Sequence, residues 1–213
     1  MELTFLGHAC FRLKGKEVTL LTDPFDLSVG YAWPRPQARI VTVSHAHPGH
    51  SYTAGVAGEP RVVASPGEYE ISGVFIQGLA TYHDQEQGKK LGKNTIFLID
   101  MEELRVLHLG DLGHPLSPEV AGRLGRIDVL LVPVGGGPTI NARVAAGLIR
   151  SLEPRLVIPM HYRTEMWGQG LDPVLPFLKE MGVGEAVAQP RLSVTRSSLP
   201  TEPKVVVLDH PRP

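Results

Sequence analysis

Short apolar segments rich in β-branched residues recur along the whole chain, and each is bounded by Gly, Pro or polar residues. Runs of this length and composition are typical of buried β-strands. We predict ten strands, at residues 3–6, 18–21, 39–44, 61–64, 74–77, 95–100, 104–109, 129–132, 156–160 and 204–208.

Helical periodicity is confined to the later part of the chain, where it predicts helices at 117–124, 139–152 and 172–181. In the second of these, Ile140, Val144, Leu148 and Leu152 share one face. Strands therefore come first, and strands alternating with helices follow. No repeat or Ser-rich linker divides the sequence, so we expect one layered α/β domain over residues 1–213, with helices covering the sheets.

Composition and charge exclude several classes of protein. The 213 residues carry 21 Lys and Arg against 22 Asp and Glu, and this balance gives no reason to expect nucleic acid as a partner. A single Cys cannot form an intramolecular disulfide, and no apolar run approaches the roughly 18 residues that a membrane span needs. The N-terminal segment has no signal-peptide pattern, so we expect a cytoplasmic protein.

The apolar strands share one feature, which is that most of them stop at a His or an Asp. The residues at these ends are Asp23, His45, His83, Asp111 and His161. If the strands lie side by side, the loops that follow them meet at one rim, where open α/β sheets usually bind ligands. This pattern predicts a single site at that rim.

The densest chemical signal is the segment SHAHPGH, which places His45, His47 and His50 within six residues after an apolar strand. Neutral imidazole nitrogens bind zinc and similar ions. A cluster of three His directly after a buried strand favours a metal site over a solvated loop. The sequence therefore predicts that at least part of a metal site is local to this segment.

These residues resemble the signature of the metallo-β-lactamase superfamily, His-x-His-x-Asp-His followed by a distant His, an Asp and a last His. His83 in TYHD, Asp111 in HLGD and His161 in IPMHY fall in the same order after the first cluster. The opening LTFLGHACF and LLTDPF resemble the branch that contains L-ascorbate-6-phosphate lactonase and N-acylphosphatidylethanolamine phospholipase D. The fold implied by the resemblance is a four-layer αββα sandwich with two mixed β-sheets covered by helices.

The resemblance also implies two metal positions. His45, His47 and His83 would form the first, and His50 and His161 the second, with Asp111 bridging the ions and steering the attacking water. The Asp of the signature is Gly49 here, which offers no ligand. We therefore expect one firm Zn²⁺ site and a second that is weak or absent, with Mn²⁺ as an alternative ion. Asp23 is a candidate for the catalytic role of the missing carboxylate.

Four further residues could restore the charge or coordination that the missing Asp would supply: His8, Asp84, His108 and His114. Of these, His8, His108 and His114 could instead support the ligands or contact substrate. Strand alternation predicts that His108 points inward, and we expect His114 near the metals because it follows Asp111 in a Gly-rich turn. His210 has no motif around it and is expected to be exposed.

Two other segments allow more than one interpretation. The glycine cluster GGGP at 135–138 is either a tight turn that brings the backbone close to the rim or, less in keeping with known fingerprints, a phosphate cradle. Lys89, Lys90 and Lys93 form either a solvated turn or a patch that attracts an anionic substrate. Tyr31 and Trp167 are candidates for a pocket wall or for a homo-oligomer contact.

The leading interpretation is a metal-dependent hydrolase of an ester, lactone or phosphodiester, acting on a small molecule that could be anionic. The alternative is a catalytically degenerate metal-binding protein that senses a ligand or serves as an interaction module, because Gly49 removes a carboxylate from the site.

Overall fold

The structure is a computed structural model that describes residues 1–184 and 186–212. The described residues form thirteen β-strands, three α-helices and short 3-10 turns at Leu27–Val29, Thr53–Gly55 and Arg196–Ser198. The strands are β1 (Glu2–Gly7), β2 (Cys10–Lys14), β3 (Thr19–Thr22), β4 (Ile40–Thr42), β5 (Arg61–Val63), β6 (Gly67–Ile71), β7 (Val74–Tyr82), β8 (Lys93–Met101), β9 (Leu104–His108), β10 (Val129–Pro133), β11 (Leu156–Met160), β12 (Leu192–Ser193) and β13 (Lys204–Val205). The helices are α1 (Pro118–Leu124), α2 (Ala142–Leu152) and α3 (Leu175–Glu180).

The strands form two mixed sheets. The six-stranded sheet has the order β12-β1-β2-β3-β4-β5, antiparallel as far as β3 and parallel from β3 to β5. The seven-stranded sheet has the order β13-β11-β10-β9-β8-β7-β6, antiparallel from β6 to β9 and parallel beyond. Parallel strands have their carboxyl ends at the same edge of a sheet. In the six-stranded sheet these strands include β3 and β4, and in the seven-stranded sheet they include β7, β9, β10 and β11.

The inner faces of the two sheets enclose the main hydrophobic core. Phe5, Phe11 and Leu20 from the first sheet pack in the same buried cluster as Phe97 and Ile158 from the second. Each of these side chains is at most 2% exposed. Burying side chains of this size contributes about 1.5–3 kcal/mol each, so this interface is the main source of stability for the sandwich.

The outer face of the seven-stranded sheet is covered by α1, α2 and α3. Each helix start follows the expected chemistry where a capping residue is present: the Ser117 side chain accepts from the backbone N–H of Val120, and the Asn141 side chain accepts from that of Val144. The buried residues of α2 centre on Ala145, Leu148 and Ile149. The predicted face is confirmed, because Ile140 and Leu148 are buried in this cluster and Val144 and Leu152 pack against it partly buried.

The outer face of the six-stranded sheet is covered differently. The apolar cluster on this face includes Leu21, Val41 and Phe25. It is covered by the loops between residues 24 and 57 that lie on either side of β4. Within the described residues, that covering segment contains 3-10 turns and no α-helix. The layered α/β class is confirmed, and this outer layer is lighter than the resemblance implied.

All ten predicted strands are confirmed, with ends that move by a few residues. The prediction missed β2, β6 and β12. The first two carry charged residues that interrupt the apolar pattern: Arg12 and Lys14 in β2, and Glu68 and Glu70 in β6, where no residue is fully buried. Of the helices in the described part of the chain, none is both long enough and apolar enough to span a membrane.

Candidate metal centre

The polar residues at the strand ends converge between the two sheets. The six-stranded sheet contributes His8 from the turn between β1 and β2, and His45 and His50 from the loop after β4. The seven-stranded sheet contributes the residues that follow β7, β9 and β11, namely His83, Asp111 and His161. The site therefore forms only when both sheets are packed together.

Asp111 lies at the centre of this group and is almost completely buried. Its Oδ2 atom is 3.1 Å from Nε2 of His50, 3.2 Å from Nε2 of His83 and 3.4 Å from Nε2 of His161. Nε2 of His45 is slightly farther away, at 3.9 Å. One carboxylate oxygen thus faces four imidazole nitrogens from three different loops.

The ligand atoms fall into two groups, and within each group they lie within 4.8 Å of one another. His45, His83 and Asp111 form the first group, and His8, His50 and His161 form the second. Nitrogen atoms with one carboxylate oxygen are the donor set that suits zinc and similar ions.

Several of these buried atoms have no hydrogen-bond partner within the protein. They are Nδ1 of His8, His83 and His161, Nε2 of His45 and Oδ1 of Asp111. A buried polar atom without a partner normally costs about 1–3 kcal/mol, and native proteins rarely tolerate several together. A bound cation satisfies such lone pairs, so the residues fit a divalent metal ion.

Buried residues outside the two groups orient the ligands. Asp23 accepts from the backbone N–H and the hydroxyl of Ser44, and its Oδ2 is 2.8 Å from Nδ1 of His50. Asn94 accepts from the backbone N–H of Asp111 and donates to the carbonyl of Leu109. Sequence analysis missed Asn94, although its position immediately before an apolar strand was a usable signal.

Asp23 was predicted to be catalytic, but the structure places it behind His50, fully buried and absent from the cavity lining. Asp23→Asn is therefore expected to weaken metal binding by about 10–100-fold, because it disturbs the partner that fixes the His50 ring. Competition with a chelator measures this change. Asp128→Asn is the matched control, since Asp128 is equally buried but accepts from Arg105 and Arg126. A fall in kcat with unchanged metal affinity would instead support the catalytic role.

Three site residues adopt the left-handed backbone conformation that non-glycine residues avoid: His8 (φ 58°), Asp23 (φ 39°) and His161 (φ 50°). Strain of this kind concentrates at functional sites, where the surrounding structure enforces it. Here the backbone N–H of His161 donates to the carbonyl of His8 at 2.9 Å, which ties the two sheets together at the site.

The glycine cluster at 135–138 forms a turn against the same rim. Gly135 donates its N–H to the carbonyl of His161, and a Cβ at this position would lie 2.4 Å from that oxygen. Gly136 and Gly137 both have positive φ. This geometry favours the interpretation as a tight turn with a close backbone approach.

Burial and neighbouring charges shift the pKa values of the grouped residues in different directions. Burial disfavours a charged His50, but Asp111 and then Asp23 outweigh burial and raise the pKa of His50 to about 10. Burial, followed by repulsion from His50, lowers the pKa of His45 to about 4. Burial alone would raise the pKa of Asp111, but the histidines, with His161 first, hold it well below its usual value. A metal ion held by these residues would have to displace the proton that this environment favours on His50.

The metal ligands border a cavity of about 640 Å³ between the two sheets. The remainder of its lining is mainly apolar and includes Val29, Leu91, Met166, Trp167 and Leu171. Ser28, His47 and Gln169 add polar groups. Trp167, which sequence analysis could not assign, packs 4.2 Å from His8 and 5.1 Å from His161 between ring centroids.

Three predicted site residues belong to neither ligand group. His47 is exposed and belongs to neither ligand group, although its ring stacks on that of His45 at 5.8 Å. His114 is not at the metals, because its Nε2 accepts from the N–H of Tyr82 and its Nδ1 donates to the carbonyl of Pro115. His108 is fully buried in β9 and donates to the carbonyl of Ala9.

Asp84 and His210 lie in different surroundings from those that the sequence predicted. Asp84 accepts four backbone N–H groups of the loop that follows it, from residues 86, 88, 90 and 91, and so it stabilises that loop instead of replacing the missing ligand. His210 was expected to be exposed, but it is buried against Tyr31 at 5.0 Å between ring centroids. The chain returns to the site region near its end, which no local pattern indicates.

Three comparisons relate this geometry to known proteins. The β-lactamase superfamily domain model matches residues 2–161. A UPF0173 metal-dependent hydrolase from Pyrococcus horikoshii is 31% identical, with 77% of this chain and 85% of the relative covered. A proposed Zn-dependent hydrolase of the metallo-β-lactamase superfamily from Thermotoga maritima is 42% identical, with a TM-score of 0.82 and 97% of both chains covered.

A more distant structure shares the fold alone. The isothiocyanate hydrolase from Delia radicum gut bacteria is 13% identical, with a TM-score of 0.67 and coverage of 92% of this chain and 99% of that one. The family model spans most of the sequence, and the curated relative matches over most of its own length. The chain belongs to the metallo-β-lactamase superfamily and, within it, to the UPF0173 family of metal-dependent hydrolases.

Proposed function

We propose that the protein hydrolyses an uncharged carboxylic ester or lactone at the metal centre. The observation that supports this proposal is the cavity that borders the ligands. Its polar groups are concentrated at the two ligand groups, and none of the described residues that line it is a Lys or Arg.

A divalent ion held by these residues would lower the pKa of a bound water towards about 7 and polarise the carbonyl oxygen of the substrate. Asp111 is the protein group best placed to orient that water. Its Oδ2 faces the imidazoles, whereas its Oδ1 is buried without a protein partner and is free to accept a hydrogen bond from that water. Asp23 holds His50 through Nδ1 and so leaves Nε2 of that ring facing the centre.

The cavity walls favour an acyl group of modest size. Leu91, Met166, Trp167 and Leu171 present apolar surface next to the ligands, and burying apolar atoms of a substrate there contributes about 25 cal/mol per Å². A site with an apolar body and few polar groups is the common form of a small-molecule site.

A phosphodiester suits the cavity less well. Such a substrate keeps a negative charge beyond the reacting oxygen, and none of the described residues that line the cavity is a Lys or Arg that could pair with it. Of the three lysines that could attract an anion, Lys90 pairs with Glu86, and Lys93 lines a separate cavity that borders His45 and His83. The lining therefore favours an uncharged ester or lactone over a phosphodiester.

Two substrates with the same leaving group test this proposal. We expect the zinc-loaded protein to give a larger rate enhancement over uncatalysed hydrolysis with p-nitrophenyl butyrate than with bis(p-nitrophenyl) phosphate. Dividing by the uncatalysed rates removes the difference in intrinsic reactivity. The His83→Ala variant, which lacks one ligand, is the control for metal-dependent turnover.

The outcomes separate the alternatives. A larger enhancement with the phosphodiester would overturn the proposed substrate class and leave the hydrolase assignment standing. No turnover of either substrate, or of a lactone, by protein that holds its metal would support a catalytically degenerate metal-binding protein.

A further inference from the structure

We propose that His8 is a metal ligand and that, with His50 and His161, it forms a second metal position whose own donors are imidazole nitrogens, next to Oδ2 of Asp111. The His8 ring occupies the space that Gly49 leaves open beside these two histidines. This inference rests on the metal-binding part of the proposed function and is independent of the substrate.

His8 has the position of a ligand. Its side chain is buried, and its ring centroid lies 4.5 Å from that of His50 and 4.9 Å from that of His161. One ring nitrogen from each of the three histidines lies within 4.8 Å of the other two. Trp167 packs against the His8 ring edge-on and restricts its orientation.

His8 also lacks the contacts of a structural histidine. Its Nδ1 is buried and has no hydrogen-bond partner in the protein. His114 shows the contrast, since both of its ring nitrogens bond backbone groups. A buried imidazole nitrogen with no protein partner and two other imidazoles beside it is explained by a shared cation.

A side chain at position 49 would crowd the space that the His8 ring occupies. A Cβ at position 49 would lie 3.0 Å from Cε1 and 3.3 Å from Nε2 of His8. Gly49 does not have a left-handed φ, so its backbone does not require glycine. The small size of residue 49 is therefore what matters, because it allows the His8 ring to face His50 and His161.

The backbone at His8 supports the same conclusion. A histidine at φ 58° is strained, and Asn or Gly would tolerate this conformation better. A strained residue is retained where its side chain has a function that the easier residues cannot supply.

An all-imidazole donor set predicts a metal preference. Imidazole suits Zn²⁺ and Co²⁺, whereas Mn²⁺ and Mg²⁺ prefer carboxylate and water oxygens. The second position should therefore bind Zn²⁺ and Co²⁺ well and discriminate against Mn²⁺.

The test is a Co²⁺ titration of the full chain after chelation, followed by visible absorption and by metal analysis after dialysis. We expect two equivalents in the wild-type protein. His8→Asn, which suits the left-handed backbone, should keep the first equivalent and bind the second about 10–100-fold more weakly. The control, His114→Ala, removes a histidine outside the two groups and should keep both equivalents.

A double variant provides an independent test. His8→Ala combined with Gly49→Asp exchanges the ring for a carboxylate in the same space, and it should restore the second equivalent and shift its preference from Zn²⁺ towards Mn²⁺. The proposal is overturned if the wild-type chain holds a single ion, or if folded His8→Asn keeps both Co²⁺ equivalents with unchanged affinity and spectrum. Absence of turnover with two ions bound would instead count against the proposed function.

Discussion

Replacing Asp111 with Asn is expected to reduce kcat/KM by at least about 10³-fold and zinc affinity by more than about 100-fold. The carboxylate is the only anion among the grouped ligands, and its Oδ2 faces four imidazole nitrogens at 3.1–3.9 Å. An amide removes the charge that binds the cation and also the acceptor that orients water. Metal analysis after dialysis and ester turnover measure the two effects.

Asp100→Asn is the control for this experiment. Asp100 is half-exposed and forms a two-pronged ion pair with Arg105, away from the metal centre. Its substitution should leave metal content and turnover unchanged, because exposed ion pairs contribute little. Full metal occupancy and activity in Asp111→Asn would show that Asp111 is not a ligand.

Gly135→Ala is expected to lower the free energy of unfolding by about 1–3 kcal/mol and to weaken metal binding at His161. The added methyl group would lie 2.4 Å from the backbone oxygen of His161 and 2.9 Å from Cα of Tyr162. Backbone atoms cannot move aside as a flexible side chain can, so the strand end that carries His161 must shift. Urea unfolding and zinc competition measure both changes.

Gly147→Ala is the matched control. Gly147 lies in α2, where an added Cβ meets nothing closer than 3.9 Å. Alanine is the better helix former by up to about 1 kcal/mol, so this variant should be as stable as the wild type or more stable. If both variants have the same stability, the close approach at Gly135 does not constrain the fold.

The strand pattern and the residues at its ends were readable from the sequence alone. Buried strands leave a local record of short apolar runs, and the His or Asp at each end marks where a run meets the rim. For this reason the sequence predicts ten strands and a single site that contains His45, His83, Asp111 and His161.

The pairing of ligands was decided by tertiary structure. His47 fits the spacing of a ligand, but the chain turns between His45 and His50 and leaves it exposed. His8 precedes the cluster by more than thirty residues. Strand pairing within the six-stranded sheet brings it to His50, and the packing of the second sheet brings it to His161. Residues distant in sequence acquire such proximity only when the chain folds.

The sequence by itself determined the layered α/β class and most of the residues at the strand ends, because periodicity and strand ends are local properties, and the family resemblance implied the sandwich. The tertiary structure decided which histidines lie close together, which carboxylate faces several imidazoles and which holds a single one, and that no Lys or Arg is among the described residues lining the cavity. Those properties depend on distances between loops from two different sheets. Gly49 shows the difference most clearly: in the sequence it is a missing ligand, and in the fold it is the space that His8 occupies.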